Sequence, residues 1–327
     1  MTLLKPAIIL IIGFILLIKG ADFFVEGSSS VAKRFHVPAM IIGMTIVAMG
    51  TSLPECAVSV TASLTNNNSL AVSNVVGSNI FNLMVVCGAC AVLTPLTISQ
   101  DTLKKEFPLS IICAGLLLVL GYIGMTLGHI DGVFFLILFI GYLLWMINSA
   151  KKARAEILAN PEHADNFAQA EYVEGNIAVL PLWKSLLFIV GGMIAIKFGG
   201  DFVVDGASSI AGILGLSQTL IGLTIVAMGT SLPELVTSLI AAKKGEVDMA
   251  LGNVIGSDIF NILFVLGIAT AISPIEFLME NVFDIIILIV MSLLVLGFSW
   301  SKQEINRKEG LSMLLIYAAY MVYICIR

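Results

Sequence analysis

The sequence predicts an all-α polytopic membrane protein, with ten transmembrane helices arranged as two inverted five-helix repeats. Three observations predict this fold. First, the 327 residues are 58% hydrophobic and 12% charged, whereas about a quarter of the residues in a soluble domain are charged. Second, apolar runs long enough to cross a bilayer recur along the chain, whose mean hydropathy is +1.03. Third, the sequence matches itself at a separation of 179 positions.

The internal match defines the repeat. Residues 43–55 and 222–234 differ at one of thirteen positions. The segment Asn74–Asn82 reads N-V-V-G-S-N-I-F-N, and its counterpart Asn253–Asn261 reads N-V-I-G-S-D-I-F-N. A doubled unit with polar residues inside apolar segments is typical of transporters whose two halves enclose one binding site.

Ten apolar stretches form the predicted spans, five on each side of a polar segment. Their approximate bounds are 4–25, 37–64, 69–96, 107–127, 130–149, 181–204, 216–242, 248–273, 281–300 and 311–326. The predicted domains are a first repeat at 1–149, a linker at 150–180 and a second repeat at 181–327. We expect the first stretch to be a span and not a cleaved leader, because Asp22–Gly27 has a counterpart at Asp201–Gly206.

Lysine and arginine are unevenly distributed over these spans. Of 17 such residues, 13 fall on the side of the linker, 2 fall on the opposite side and 2 lie within spans. The positive-inside rule therefore predicts a cytoplasmic linker and external termini, in the plasma or inner membrane of a cell. Because five spans is an odd number, the second repeat enters the membrane upside down relative to the first. Matching residues are then expected to meet near the midplane.

The second and seventh predicted spans each carry a proline inside an apolar helix. Pro54 lacks an N–H group and its ring clashes with the carbonyl of Gly50, so the helix is predicted to break there. Freed carbonyls are tolerated at membrane depth only against protein or in a watery cavity, where they can bind hard cations. Ala48, Thr51 and Glu55 share one helix face at this break. Their counterparts in the seventh span are Ala227, Thr230 and Glu234.

The third and eighth predicted spans each carry a polar stripe along one helix face. The stripes consist of Asn74, Ser78 and Asn82, and of Asn253, Ser257 and Asn261. Asp258 lies three residues before Asn261, so it can face the same cavity. Carboxylate, hydroxyl, amide and carbonyl oxygens, without a repeated His or Cys, favour Ca²⁺, Na⁺, Mg²⁺ or Mn²⁺ over zinc or copper.

An alternative interpretation is that the two glutamates only hydrogen-bond between helices. This interpretation is less favoured, because carboxylates at membrane depth are costly and normally mark an ion pathway. Two carboxylates related by the repeat, each following a helix-breaking proline, strengthen the interpretation as an ion site.

The paired G-T-S-L-P-E and G-S-x-I-F-N segments resemble the alpha repeats of the sodium/calcium exchanger family, within the cation/calcium exchanger superfamily. The resemblance covers nearly the whole chain. The short linker is similar to that of the prokaryotic members, which lack the large calcium-sensing loop of animal exchangers. The resemblance implies that the first and sixth spans slide across the core during alternating access.

The resemblance also implies roles for the matching residues. Glu55 and Glu234 would be the central ligands shared by Ca²⁺ and Na⁺. The Ca²⁺ site and its flanking Na⁺ sites would be completed by Thr51, Thr230 and the carbonyls of Ala48 and Ala227. Further Na⁺ oxygens would come from Ser52, Ser78, Ser231 and Ser257, and the centre would be lined by Asn82 and Asn261. Asp258 stands where a neutral residue is common, so it would either add a third carboxylate or favour a proton as the coupling ion.

The leading hypothesis is a secondary active antiporter that exchanges Ca²⁺ for Na⁺ by alternating access. The alternative is a Ca²⁺/H⁺ antiporter of the same fold. A passive cation channel is less favoured, because a channel needs no inverted repeats around an occluded site. An intramembrane hydrolase is disfavoured, because the hydroxyl and acid of Gly256–Asp258 lack a His or Lys base.

We therefore expect no enzymatic activity and no cofactor. The expected partners are inorganic cations (Ca²⁺, Na⁺ and, in the alternative, H⁺) and the lipid bilayer. We expect no nucleic acid and no obligatory protein partner.

Overall fold

The structure is a computed structural model that describes residues 3–65, 69–159, 179–215 and 227–326. Most of these residues are helical. A bilayer core offers no water to an exposed backbone, so apolar segments satisfy their own N–H and C=O groups by forming helices. The middle of the predicted linker and the beginning of the seventh predicted span lie outside the described residues.

The described helices follow the order expected for two repeats. Those before the linker are α1 Leu4–Phe35, α2 Ala39–Ile42, α3 Ala48–Thr51, α4 Leu53–Leu64, α5 Ser69–Phe81, α6 Cys87–Leu93, α7 Phe107–Tyr122 and α8 His129–Ala159. Those after it are α9 Leu182–Ile213, α10 Ala227–Gly229, α11 Leu232–Lys243, α12 Val247–Phe260, α13 Leu266–Ile272, α14 Met279–Lys302 and α15 Arg307–Ile326. Short π-helical segments lie at Gly43–Val47, Asn82–Val86, Thr102–Glu106 and Asn261–Val265.

The number of membrane crossings agrees in part with the prediction. Among the described residues, six helices are long and apolar enough to cross a membrane. A seventh crossing results if the bent pair Ala39–Thr51 and Leu53–Leu64 counts as one span. A polytopic helical membrane protein is thus confirmed, and the count of ten stays a prediction. Part of the predicted span at 216–242 lies outside the described residues.

Three helices extend well beyond the predicted span boundaries. α1 continues to Phe35, α8 to Ala159 and α9 to Ile213, whereas the corresponding spans are predicted to end at residues 25, 149 and 204. The polar end of α1 stays helical because it is buried against protein, including the consecutive serines Ser28–Ser30. The predicted linker at 150–180 therefore begins inside a helix.

The prolines break the helices as predicted. α3 ends at Thr51, α4 begins at Leu53, and the two halves are bent by 48°. Pro54 occupies the first turn of α4, where its missing N–H removes no intrahelical bond. Pro233 has the equivalent position in the first turn of α11. The breaks therefore arise where the sequence places a residue that cannot continue the preceding helix.

α1 and α9 pack backbone to backbone along a seam of glycines, which we call the glycine seam. The seam consists of glycines spaced seven residues apart, Gly13, Gly20 and Gly27 on α1 and Gly192, Gly199 and Gly206 on α9. A Cβ atom built on Gly192 would lie 2.7 Å from the carbonyl oxygen of Gly20, and one on Gly206 would lie 2.8 Å from the nitrogen of Leu10. The two helices therefore run antiparallel, with small residues allowing the close approach that packing in lipid requires.

Two short antiparallel ribbons join the repeats. β1 Leu96–Thr97 pairs with β4 Glu304–Ile305, and β2 Thr126–Leu127 pairs with β3 Ile275–Glu276. Each ribbon takes one strand from each repeat. The loop after the third predicted span therefore lies beside the loop after the ninth, and the loop after the fourth lies beside the loop after the eighth.

The core is formed by the third and eighth predicted spans. Of the most apolar window in Leu70–Leu93 and in Val247–Ile272, 78% of the residues are buried. For the outer helices Leu4–Phe35, His129–Glu156 and Leu182–Ile213, the buried share is 33%, 28% and 33%. The two polar stripes are thus held at the centre of the molecule.

Substituting Gly192 with alanine should destabilise the protein, because the new Cβ would overlap backbone atoms of α1 that cannot move independently. We expect a loss of about 1–3 kcal/mol, as for other overpacked contacts. Gly191→Ala is the matched control, because a Cβ there has no described atom within 4 Å. Thermal unfolding in detergent measures both variants. Equal melting temperatures for the two variants would contradict the close packing of α1 against α9 at the glycine seam.

Candidate functional site

Two glutamates occupy equivalent positions at the helix breaks. Glu55 lies in the first turn of α4, and Glu234 lies in the first turn of α11. Both side chains are fully buried, with 0% of their surface exposed. The N-terminus of a helix stabilises a negative charge through its free N–H groups and its dipole. The proline breaks therefore create two helix ends suited to holding buried carboxylates.

Each glutamate accepts a hydrogen bond from the serine at the break of the other repeat. Ser52 Oγ donates to Glu234 Oε1 at 2.8 Å, and Ser231 Oγ donates to Glu55 Oε1 at 3.2 Å. Ser78 Oγ also donates to Glu55 Oε1 at 3.1 Å, and its hydroxyl lies 2.8 Å from that of Ser231. The two breaks therefore face each other and form one polar centre.

Asparagines from the polar stripes brace the backbone beside each glutamate. Asn74 Nδ2 donates to Ser59 Oγ at 3.0 Å and to the glutamate carbonyl of its own repeat at 3.3 Å. In the second repeat, Asn253 Nδ2 donates to Ser238 Oγ at 2.9 Å and to the glutamate carbonyl at 3.5 Å. Ser59 and Ser238 were missed in the sequence analysis, although their equivalent positions in the repeats could have identified them.

A second polar group joins the π-helical segments of the two core helices. Asn261 Nδ2 donates to Asn79 Oδ1 at 3.0 Å, and Asn82 Nδ2 donates to Asp258 Oδ1 at 3.4 Å. Asn79 Nδ2 donates to the carbonyl of Asp258 at 3.0 Å. Asn82 and Asn261 each begin a π-helical segment, an irregularity that is frequent at functional sites. Asn79 was not among the predicted site residues, and it bonds to both Asp258 and Asn261.

Several buried oxygens at this centre have no hydrogen-bond partner among the described residues. They are Glu55 Oε2, Glu234 Oε2, Asn82 Oδ1, Asn261 Oδ1, Ser257 Oγ and Thr230 Oγ1. A buried polar atom without a partner costs about 1–3 kcal/mol. Carboxylate, amide and hydroxyl oxygens are the ligands of hard cations such as Ca²⁺ and Na⁺. The donor set therefore fits a cation that supplies the missing interactions.

The acidic residues do not form a cluster of three. Within the part of the chain that the structure describes, no group of three or more His, Cys, Asp or Glu side chains could hold a metal ion together. Asp258 is instead engaged with Asn82. A cation between Glu55 and Glu234 would therefore rely mainly on neutral oxygens for its remaining ligands, which is typical of Ca²⁺ and Na⁺ sites and not of zinc sites.

The remaining predicted site residues differ in their surroundings. Thr51 is buried, and its hydroxyl contacts the carbonyls of Val47 and Ala48 and donates to Asn253 Oδ1 at 3.1 Å. The Ala48 carbonyl also accepts the backbone N–H of Ser52 at 3.0 Å. Ala227 begins α10, and its side chain lies outside the described part of the structure.

A cavity of about 240 Å³ lies beside α9 and the two helix breaks. Its lining includes Thr230, Pro233 and Pro54 from the breaks, and Lys197, Asp201 and Asp205 from α9. Carboxylates along such a path raise the local concentration of cations. Asp201 also forms the local ion pair with Lys197 that its spacing suggests. This cavity is thus suited to admit a cation to Thr230.

The equivalent acids of the first repeat are held by a lysine. Asp22 and Glu26 correspond to the two α9 acids just described. Lys244 Nζ lies 2.6 Å from Asp22 Oδ1 and 3.9 Å from Glu26 Oε2, and it donates to the Asp22 carbonyl at 3.2 Å. The two repeats therefore differ, because Asp201 pairs with a lysine of its own helix beside a cavity, whereas Asp22 pairs with a lysine of the other repeat.

Comparison with known proteins identifies relatives over almost the full length. The family model described as "Sodium/calcium exchanger protein" matches residues 5–148 and 184–326. The "Putative antiporter CaxA" of Alkalimonas amylolytica is 39% identical over 331 residues, covering 97% of this chain and 98% of the relative. The "Sodium/calcium exchanger MaX1" of Methanosarcina acetivorans is 33% identical over 344 residues, covering 96% and 97%.

The fold also matches a solved transporter structure. The sodium-calcium exchanger NCX_Mj, in crystals soaked with Na⁺ and Ca²⁺, superposes with a TM-score of 0.82 at 33% sequence identity. The match covers 97% of this chain and 98% of the solved one. The glutamate centre described above therefore lies in a chain whose whole architecture resembles that exchanger.

Glu55→Gln and Glu234→Gln should each weaken Ca²⁺ binding at least tenfold, or about 1.4 kcal/mol. The amide keeps the size of the side chain and an acceptor for the partner serine but removes the charge. Glu280→Gln is the control, because Glu280 is exposed at the beginning of α14. Calorimetric titration of the purified protein measures the affinity. An unchanged affinity in either core variant would contradict the assignment of the site.

Proposed function

The chain belongs to the sodium/calcium exchanger family, and on this premise we propose that it is a secondary active antiporter that exchanges Ca²⁺ for Na⁺ across the membrane. The observation that carries the proposal is the pair of buried glutamates, each hydrogen-bonded by the other repeat's serine. An exchanger needs one site that different cations occupy in turn. Like its relatives, the chain is a transporter and not an enzyme.

The proposed architecture is ten helices in two inverted five-helix repeats, at 1–149 and 181–327, joined by the linker at 150–180. Two features support the inversion. The equivalent helices α1 and α9 run antiparallel along the glycine seam. In the ten-helix arrangement, an even number of membrane crossings separates the two loops that each ribbon joins. The loops of β1–β4, and those of β2–β3, would therefore lie on the same side of the membrane, as their pairing requires.

The proposed cation site is centred on Glu55 and Glu234. Their charges would compensate the cation, and the helix breaks would supply neutral oxygens around it. The further ligands that we propose for the Ca²⁺ and Na⁺ positions are Thr51, Thr230, Ser52, Ser231, Ser78, Ser257, Asn82, Asn261, Asp258 and the carbonyls of Ala48 and Ala227. The unpartnered oxygens of six of the site's side chains support this assignment.

The difference between the two acidic pairs supports alternating access. We propose that the cavity at Asp201 and Asp205 is the external entry, and that Lys244 closes the equivalent internal path at Asp22 and Glu26. Sliding of α1 and α9 across the core would exchange the open and closed paths. Because the glycine seam packs these two helices backbone to backbone, they would move together as one unit.

We assign Na⁺ as the coupling ion, with H⁺ as the alternative. Asp258 motivates the alternative, because a carboxylate at this depth can carry a proton across the membrane. Na⁺ is preferred because neutral hydroxyl and amide oxygens surround the two glutamates, and these are Na⁺ ligands. The named relatives that support the assignment are sodium/calcium exchangers.

Proteoliposome flux distinguishes the two coupling ions. We expect Ca²⁺ uptake driven by a Na⁺ gradient in the wild type, and we expect Asp258→Asn to retain it. A proton antiporter would instead move Ca²⁺ against a pH gradient without Na⁺, and Asp258→Asn would stop that movement. Robust proton-driven uptake in the absence of Na⁺ would therefore overturn the choice of Na⁺.

Cysteine labelling tests the proposed orientation. In a cysteine-free background, an impermeant thiol reagent should label Glu276→Cys from outside the cell, because Glu276 is exposed on the β2–β3 ribbon. Lys302→Cys, at the exposed end of α14 beside the other ribbon, should react only after permeabilisation. The reverse pattern would show that the chain has the opposite orientation in the membrane. Labelling of both residues from outside would contradict the single membrane crossing predicted between them.

A further inference from the structure

A buried ion pair joins α1 to the second repeat, at the end of α1 that lies on the side of the linker. Lys33 Nζ lies 3.5 Å from Glu246 Oε1, and the same oxygen accepts a hydrogen bond from Ser29 Oγ. Only 2% of the Lys33 side chain and 4% of the Glu246 side chain are exposed, and Ser29 is fully buried. We call these three residues the cytoplasmic latch.

Glu246 belongs to the core of the molecule. It immediately precedes α12, the helix that carries the second polar stripe. The turn before it is fixed by backbone bonds, from the Glu246 N–H to the Ala241 carbonyl at 2.9 Å and from the Gly245 N–H to the Ala242 carbonyl at 3.1 Å. Gly245 has a φ of 82°, which a side chain would disfavour. The carboxylate of the latch is therefore held in place relative to the cation site.

The other two residues of the latch belong to the pair of helices that we expect to move. Ser29 and Lys33 lie on α1, which the glycine seam joins to α9. The same end of α1 is also bonded to the beginning of α9, where Ser30 Oγ lies 2.9 Å from Ser185 Oγ. The latch therefore restrains α1 and α9 together against the core.

The latch continues a charged stripe along one face of α1. Asp22, Glu26, Ser29 and Lys33 follow one another at spacings of four, three and four residues, so they share a helix face. Lys244 contacts the two acids of this stripe, and Glu246 contacts the serine and the lysine. Opposite charges therefore face each other along the whole contact, which favours one position of α1 against the core.

The inverted repeat has no equivalent charges. At the separation of 179 positions, Lys33 corresponds to Gly212, Glu246 to Asn67 and Lys244 to Thr65. None of these three side chains can form an ion pair. An ion pair of this kind can therefore reinforce closure of the path on the cytoplasmic side, but not closure of the path on the external side.

We propose that the cytoplasmic latch biases the cation-free protein toward the state that is closed to the cytoplasm and open to the outside. Two states related by the inverted repeat would otherwise have similar free energies. An interaction present in only one of them shifts the populations toward that state. The proposal rests on the alternating access of the proposed function, but it does not depend on which ions are exchanged.

Distances between spin labels measure the two populations without a transport assay. In a cysteine-free background, Arg34→Cys and Lys243→Cys label the exposed cytoplasmic ends of α1 and α11. Leu64→Cys and Ile213→Cys are the equivalent exposed positions of the inverted repeat, on α4 and α9. Double electron–electron resonance is recorded for each pair in nanodiscs without Na⁺ or Ca²⁺. We expect one dominant distance for each pair when the latch is intact.

Removing one charge of the latch should favour the state open to the cytoplasm. Lys33→Met leaves Glu246 without its cation, and Glu246→Gln leaves Lys33 without its anion, and each unpaired charge is costly only where it stays buried. We expect the population open to the cytoplasm to rise at least about tenfold in either variant. It should appear as a longer distance at the cytoplasmic pair of labels and a shorter distance at the external pair.

Two further variants test the pairing itself. Lys33→Met combined with Glu246→Gln leaves no unpaired charge, so its shift should be smaller than that of either single variant. Ser29→Ala keeps both charges, and it should shift the populations in the same direction by about fivefold if the single-charge variants do not fold. Asp101→Asn with Lys105→Met is the control, because it removes an exposed ion pair outside the latch and should change neither distance.

Three outcomes would overturn the proposal. The first is that the distances stay unchanged in every latch variant that folds. The second is a longer cytoplasmic distance without a shorter external one, which would show local loosening of α1. The third is a double variant whose shift equals the sum of the single shifts. Reciprocal distance changes in a protein that shows no Na⁺-driven Ca²⁺ flux would instead contradict the proposed function and support the latch.

Discussion

Ser52 donates a hydrogen bond to Glu234, and Ser231 donates the equivalent bond to Glu55. These two hydrogen bonds join the repeats at the buried glutamates. A buried carboxylate is costly unless it is hydrogen-bonded or bound to a cation, and each glutamate accepts a hydrogen bond from the serine at the break of the other repeat. Ser78 of the first repeat adds a further hydrogen bond to Glu55. The two halves are therefore needed together to form one site. The same exchange supports the proposed inversion of the repeats, because a twofold relation lets each break face the other.

The surrounding helices satisfy the geometric demands of that centre. The proline breaks end one helix and begin another beside each glutamate, and Asn74 and Asn253 hold the adjoining backbone carbonyls. The eighth predicted span approaches the second closely because glycine allows it. A Cβ on Gly256 would lie 2.5 Å from the Cα atom of Met44. The glycine seam between α1 and α9 follows the same principle at the periphery, where close backbone contact replaces the hydrophobic effect that lipid cannot provide.

Much of this arrangement could be predicted because each sequence pattern occurs twice, once in each repeat. The breaks at Pro54 and Pro233 and the polar stripes follow from local chemistry and helical periodicity. The partners of each polar group could not be predicted, since periodicity identifies a helix face but not the register between two helices. For example, Asp22 pairs with Lys244, more than 200 residues along the chain, and helical periodicity does not indicate this pair. The spacing of seven residues between the glycines is visible in the sequence. It does not show which helix packs against them. The long ends of α1, α8 and α9 do not follow from the sequence, because polar residues normally mark the end of a span.

If the two repeats build one cation site and not two, the chain binds a single Ca²⁺. Equilibrium dialysis of the purified protein with radioactive Ca²⁺, at known protein concentration, measures this number. We expect saturation at one Ca²⁺ per chain, with Na⁺ displacing the bound ion. Saturation at two Ca²⁺ per chain, with each glutamate serving its own ion, would contradict the shared site.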